Sequence, residues 1–509
     1  MPEEPSSQIY SNNSRRQLWA WLIPLLFSLS ILACYGPVIL VPYAFSDDYS
    51  LFYNASVQKN FVDRYQVIAS GRPLYAFILE RTLAGLTDIA DLRYVRLAGV
   101  AGIIAVGLLI LRVLSAHGWS GLQSALIALI ICTLPSFQVY AAWATTSFFP
   151  YSALLSGLGF IAAQKGLSNR DRTTKWFSLT AAVVLLSTAF AIYQPTAMFF
   201  WFFAAVLFLH EHDTPALTLR RFLSFLAIMA SAMIVAYVMV RAGQALFPGV
   251  VGPERAHITK DVVGKVLWFV REPLRNALNL HNIRPSASAA VALFFFSTCG
   301  LMLFLKGPRK NRVILSGVLL LILPLSYLSN LIASHSWFAY RTIMVVGSLV
   351  VIYGLCAIRG FLSFLSTDRR TLILNSLLLT AAATCLVVSS KTVHSYFIAP
   401  QMTEMKLARE AVSMIDTSRV TNIYVIPSTW DDHLASGVFY DEFGLPSSVH
   451  PWSSKAMVAL FVRERGNHRP VKTESVTADS VPATREGRTA VIDFRTILRN
   501  FKDLKGPAV

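Results

Sequence analysis

The chain has 509 residues, of which 54% are hydrophobic and only 14% charged, with a formal net charge of +17. Its mean hydropathy is +0.53 and its pI about 9.8. Soluble domains carry about 25% charged residues, so a water-soluble core is excluded. Much of the basic excess lies in short loops between apolar runs, where it sets membrane topology, and no nucleic-acid site is read from it.

Apolar stretches long enough to cross about 30 Å of hydrocarbon recur along the sequence. About eleven spans are predicted, over residues 18–40, 94–112, 122–138, 146–163, 177–192, 195–210, 222–240, 288–305, 313–331, 341–358 and 372–390. Every second loop is cationic. Arg15 and Arg16, Arg112, the group Lys165, Arg170, Arg172 and Lys175, then Arg220 and Arg221, Lys306 to Arg312, and Arg359 with Arg369 and Arg370 share one side. The short loops opposite, 139–145, 193–194 and 332–340, hold no Lys or Arg. Cationic loops stay in the cytoplasm, so the tail 1–17 is expected inside, and the segments 41–93, 241–287 and 391–509 outside. All five cysteines, Cys34, Cys132, Cys299, Cys356 and Cys385, fall in predicted spans and say little about redox compartment.

Just past the first span stands Ser46-Asp47-Asp48-Tyr49, a pair of carboxylates in a chain poor in acid. Ser or Asp here could cap a helix, which accounts for one acid and not two. Tyr49, Phe52, Tyr53, Val57, Phe61, Tyr65 and Ile68 follow at helical spacing and predict an interfacial helix. Gly71-Arg72-Pro73 then opens a second helix, interfacial or re-entrant, with Pro73 at its start. Further along, Tyr193-Gln194-Pro195 joins two spans almost without a loop, and Ser334 to Arg341, with Trp337 inside it, reaches the same side. His210-Glu211-His212-Asp213 lies on the cytoplasmic side, away from the other candidates, and reads as interfacial polarity.

The segment 241–287 carries Arg255, Lys260, Lys265, Arg271, Arg275 and Arg284, a cationic shelf suited to lipid phosphates or an anionic glycan, or a solvated loop. The tail 391–509 has no run long enough to span and predicts a small α/β domain. Its expected strands are Ile423–Ile426, Met457–Val462 and Ala490–Phe494, and its helix Met402–Ile415. Asp431-Asp432-His433 and Asp441-Glu442 read there as solvated surface. The expected fold is thus a polytopic α-helical membrane protein with a body at 18–390 and a small C-terminal α/β extramembrane domain.

Taken together in their order and common sidedness, Ser46-Asp47-Asp48-Tyr49, Gly71-Arg72-Pro73-Leu74, Tyr193-Gln194 and Arg341 resemble the GtrII-like glucosyltransferases of bacterial O-antigen, within the GT-C class. The resemblance covers about residues 15–390. It implies a GT-C-like fold, a polyprenyl-phosphate-linked sugar donor, glucose first among the sugars, and a glycan or lipid-linked glycan acceptor. It also implies inversion at the anomeric carbon, work on the periplasmic face of a bacterial inner membrane among its lipids, and a donor synthase and a flippase as partners. Under it, Asp47 or Asp48 is the candidate general base, a role worth about 10² to 10⁴ in rate. The other acid would orient the acceptor or hold a divalent cation, Mg or Mn, as the one candidate cofactor. Arg72 and Arg341 are candidates for the departing phosphate, and Tyr193, Gln194 and Trp337 for sugar. Snorkelling and aromatic-belt roles are the plain alternatives for these residues. A polytopic lipid or sugar flippase, or another transporter, is the rival function. It is disfavoured because the polar groups gather at one surface and not at the midplane. A scaffold whose outer domain binds a partner is a third reading.

Overall fold

The computed structural model describes residues 7–59, 63–210, 214–246, 257–305, 308–466, 471–480 and 488–505. Phe61, Glu211, His212, Asp213, Arg255 and Lys306 of the sequence reading lie outside them.

The first helix, α1 (Ser7–Leu40), carries Pro24 and Pro37 within it and is followed by a stretch without regular structure. Short helices follow, α2 (Asp47–Phe52), α3 (Asp63–Ala69) and α4 (Pro73–Ala84). The single interfacial helix expected from Tyr49 to Ile68 is therefore two pieces, with a π turn over Tyr53–Val57 after the first. Long apolar helices then alternate with breaks: α5 (Leu92–Ala116), α6 (Gly121–Cys132), α7 (Pro135–Ala142), α8 (Phe149–Ser168), α9 (Arg172–Ile192), α10 (Gln194–Ala197), α11 (Phe200–His210) and α12 (Pro215–Leu246). After α13 (Val262–Phe269) and α14 (Arg275–Leu278) come α15 (Ala287–Phe304), α16 (Arg309–Leu325), α17 (Leu328–Ile332), α18 (Met344–Phe361) and α19 (Thr367–Val393).

Among the described residues, eight helices are long and apolar enough to cross a membrane, or nine if the bent pair α6 and α7, which meet at 67°, is one span. The two remaining expected spans have local reasons to differ. The stretch Gln194–His210 is short and, in α11, buried all round, so its apolarity belongs to the protein core. Helix α16 opens on Arg309, Lys310 and Arg312, which leaves it a short apolar length. Large apolar side chains on α12, α15 and α19 are exposed, the pattern of lipid-facing helices. Helices α15 and α18 approach closely at Gly300 and Gly360, where a Cβ on Gly360 would stand 2.2 Å from the Gly300 carbonyl oxygen.

The tail begins with α20 (Ala399–Ser413), continues through β1 (Asn422–Ile426), α21 (Pro451–Glu464), β2 (Lys472–Ser475) and β3 (Thr489–Asp493), and reaches α22 (Phe494–Lys505). Its sheet is parallel in the order β2-β1-β3, with Ile423 opposite Thr473 and Ala490. Met457–Val462, expected as a strand, lies inside helix α21 with every side chain buried. A fully buried run has no polar face to set its period, so pattern alone does not separate helix from strand.

The cationic shelf is partly turned inward. Lys265 Nζ donates to the His335 carbonyl at 2.9 Å. Arg284 Nη2 reaches the Tyr396 and Ser436 hydroxyls at 3.3 Å.

Candidate functional site

At the C-terminal end of α1 and just past it, the carbonyls of Val38, Val41 and Tyr43 need donors in an apolar setting. Arg96, fully buried in α5, supplies the donors: its guanidinium binds the carbonyls of Val38 at 2.6 Å, Tyr43 at 2.8 Å and Val41 at 3.1 Å. The chain so fixed delivers Ser46 at φ 49° and ψ −118°, a conformation costly for a side-chain-bearing residue. Ser46 makes no side-chain cap to α2. It is held through its backbone instead, its N–H donating to Ser447 Oγ at 2.8 Å and its carbonyl accepting from Ser453 Oγ at 2.9 Å.

The two acids that follow part company. Asp48 is 1% exposed and points inward. Its Oδ1 accepts from the N–H of Thr145 at 2.8 Å and its hydroxyl at 2.6 Å, and its Oδ2 from the Phe45 N–H at 3.1 Å. Burial pushes this carboxyl up to about 6, against the pull of its hydrogen bonds and of Arg96. Asp47 instead lines a cavity of about 600 Å³, and its Oδ1 accepts from Trp452 Nε1–H at 2.8 Å.

That cavity gathers residues from four regions. Arg72, at the head of α4, lines it with its guanidinium 4.7 Å from the Tyr193 ring centre. Trp337 and Arg341 line it as well, the Arg341 guanidinium lying 4.6 Å from Trp337 and 4.9 Å from Trp143. Tyr193 and Gln194 stand behind the wall. Tyr193 is buried and stacks on Phe149 at 3.7 Å between ring centres, while the Gln194 amide donates to the Gly71 carbonyl. Gly71 has φ 86°, and a Cβ there would meet Gln194 Nε2 at 2.7 Å, so the turn presenting Arg72 has room only for glycine.

The tail closes the site. Asp441 and Glu442, expected as solvated, pair with Arg341: Nη2 to Asp441 Oδ2 is 2.9 Å and Nη1 to Glu442 Oε1 is 2.8 Å. Glu442 is fully buried and also accepts the backbone N–H groups of Tyr340 and Arg341. The two carboxylates hold the Arg341 guanidinium protonated. Asp432 is likewise buried, bonded to Thr429 and paired with Arg499 at 2.7 Å, so it too departs from the solvated reading. These acids were misread because their partners lie far away in sequence.

Sequence reasoning missed four further wall residues: Asp63, which accepts from Asn54 Nδ2 at 2.7 Å, Trp143, Trp452 and Lys455. The last two stand in the first turns of α21 and carried no motif. Among the described residues, no group of three or more His, Cys, Asp or Glu is placed to hold a metal ion.

Comparison with known proteins adds the following. A family model described as glucosyl transferase GtrII matches residues 46–356. No curated protein matches. Among solved structures, the oligosaccharyltransferase of Archaeoglobus fulgidus, solved with zinc and sulfate, aligns over 89% of this chain at 10% identity and a TM-score of 0.44. This chain spans 62% of that one. ArnT from Cupriavidus metallidurans, solved with undecaprenyl phosphate bound, aligns over 95% of this chain and 91% of its own at 11% identity and a TM-score of 0.45.

Proposed function

The chain belongs to the glucosyl transferase GtrII family, and we propose on that footing that it is an inverting membrane glycosyltransferase. It moves a hexose, glucose first, from polyprenyl phosphate to a hydroxyl of a surface glycan such as O-antigen, on the periplasmic face of the inner membrane. The observation that carries this reading is the cavity lined by the carboxylates of Asp47 and Asp63, the guanidinium groups of Arg72 and Arg341, and the aromatic rings of Trp143, Trp337 and Trp452.

The acceptor hydroxyl gives its proton to Asp47 as its oxygen bonds the anomeric carbon. The bond from that carbon to the phosphate oxygen breaks, its electron pair leaves with the polyprenyl phosphate, and the configuration inverts. Arg72 makes paired hydrogen bonds to the phosphate as negative charge gathers there. Arg341, whose charge is matched by Asp441 and Glu442, acts as a positioning residue that holds Trp337 and the tail in place. Asp48 braces the turn that aims Asp47. Tyr193 and Gln194 support Arg72 from behind and do not touch the sugar. A divalent cation would find oxygen ligands in Asp47 and Asp63 and would add positive charge beside the phosphate.

The test is the composition and linkage of the host's surface polysaccharide, with the wild-type chain and with Asp47→Asn/Asp48→Asn at equal level. Loss of one sugar branch in the variant is expected and names the sugar. Transfer that persists in the double variant overturns the reading, and lipid or sugar movement that survives it without transfer would favour a transporter.

A further inference from the structure

Trp452 is a large apolar side chain left 51% exposed, yet it is not loose. Pro451 starts α21 one residue earlier, the His450 ring stacks on the indole at 4.6 Å and 12°, and the indole N–H donates to Asp47 at 2.8 Å. One face and one edge are thus occupied, and Trp452 is among the residues that line the cavity. An exposed indole fixed on one face is a flat apolar platform whose position is set before any ligand arrives. Lys455, three residues on and on the same side of the helix, lines the cavity as well.

We infer that His450, Trp452 and Lys455 form the acceptor subsite, on which the sugar ring carrying the reacting hydroxyl lies. A pyranose presents an apolar C–H face to an aromatic ring and hydroxyls at its edge. Stacked on Trp452, it turns its edge toward two groups: Lys455, a donor for ring oxygens, and Asp47, the acceptor of a hydroxyl proton. The ring at this place belongs to the acceptor and not to the donor sugar, because the group that orients Trp452 is the carboxylate that removes the acceptor's proton. Donor recognition lies with Arg72, which comes from α4 and not from the tail. Choice of acceptor is therefore written in the tail, outside the segment 46–356 that the family model matches.

This inference rests on the proposed glycosyl transfer, and its test separates the two. The probe is an oligosaccharide fragment of the host's surface polysaccharide. Its binding to the purified full chain in detergent is followed by saturation-transfer NMR, and transfer is assayed with host membrane lipids as donor source. Trp452→Ala should weaken fragment binding and raise the acceptor KM roughly tenfold. Trp452→Phe keeps a ring but loses the N–H to Asp47, so it should bind nearly as wild type while kcat falls several-fold. A role in folding alone would move both variants together. Equal binding and equal KM in Trp452→Ala, or no binding by the wild-type chain, overturns the subsite. Trp452-dependent binding without any sugar transfer leaves the subsite standing and removes the glycosyltransferase.

Discussion

Arg341 and Glu442 meet across 101 positions of chain, Nη1 to Oε1 at 2.8 Å, and join the membrane body to the tail. Glu442 is fully buried and also takes two backbone N–H groups. Glu442→Ala removes one charge of a buried pair and leaves two donors without an acceptor. It should destabilise the chain by about 3–5 kcal/mol and lower transfer, while Glu442→Gln should cost less. Thermal unfolding in detergent, alongside a transfer assay, checks both.

The two acids should separate by phenotype. Asp47→Asn keeps an acceptor for the Trp452 N–H and removes the base, so transfer should fall by about 10² to 10⁴ with stability near wild type. Asp48→Asn turns an amide N–H toward the Phe45 N–H, and a cost of about 1–3 kcal/mol is expected. If Asp47→Asn unfolds the chain, or Asp48→Asn alone leaves it stable and inactive, the assignment is reversed.

Asp48 also gives a pH signature. Its carboxyl moves from 3.8 to about 6 on folding, so the folded chain holds this proton more tightly than the unfolded one. That contribution to stability is fully present below 3.8 and is lost as pH rises through about 6. Melting temperatures of the wild-type chain relative to Asp48→Asn should therefore decline from pH 4 to pH 6 and level off above. A flat difference would mean that the carboxyl is already charged throughout.

At the Arg72 turn, Arg72→Lys keeps the charge and loses the planar fork. Transfer should drop at least about tenfold, a loss near 1.4 kcal/mol, with normal membrane insertion. Gly71→Ala should act through the same residue, since both its positive φ and the crowding by Gln194 displace the turn. Quantified membrane levels and transfer activity distinguish misplacement from degradation.

The helical body was legible in the sequence because most spans advertise themselves by length and apolarity. Asp47, Arg72 and Trp337, which line one cavity, were legible as candidates because all stand near the ends of predicted helices that the loop charges assign to a common side. Which acid faces the cavity was not legible. Asp48 is drawn inward by Thr145, 97 positions away, and no local pattern reveals that partner. Arg96 sat unremarked in a span, since a sequence does not show that the carbonyls of 38–43 need a donor. Trp452 and Lys455 were missed because α21 was read as a strand beginning at Met457, which left both in no element. Even the tail's acids were misplaced by the same cause, since Glu442 looks solvent-facing until Arg341 is set beside it.

Ser46, strained and clamped through its backbone by Ser447 and Ser453, also imposes an order on biosynthesis. The clamp joins residues 401 and 407 positions apart. At about 5–20 residues per second, the aspartates wait roughly 20–80 s before the serines that set their posture are made. A nascent chain stopped short of α21 exposes the acids without their geometry. The Ser46 clamp, and with it the posture of the two acids, therefore forms only when translation of the chain is nearly finished.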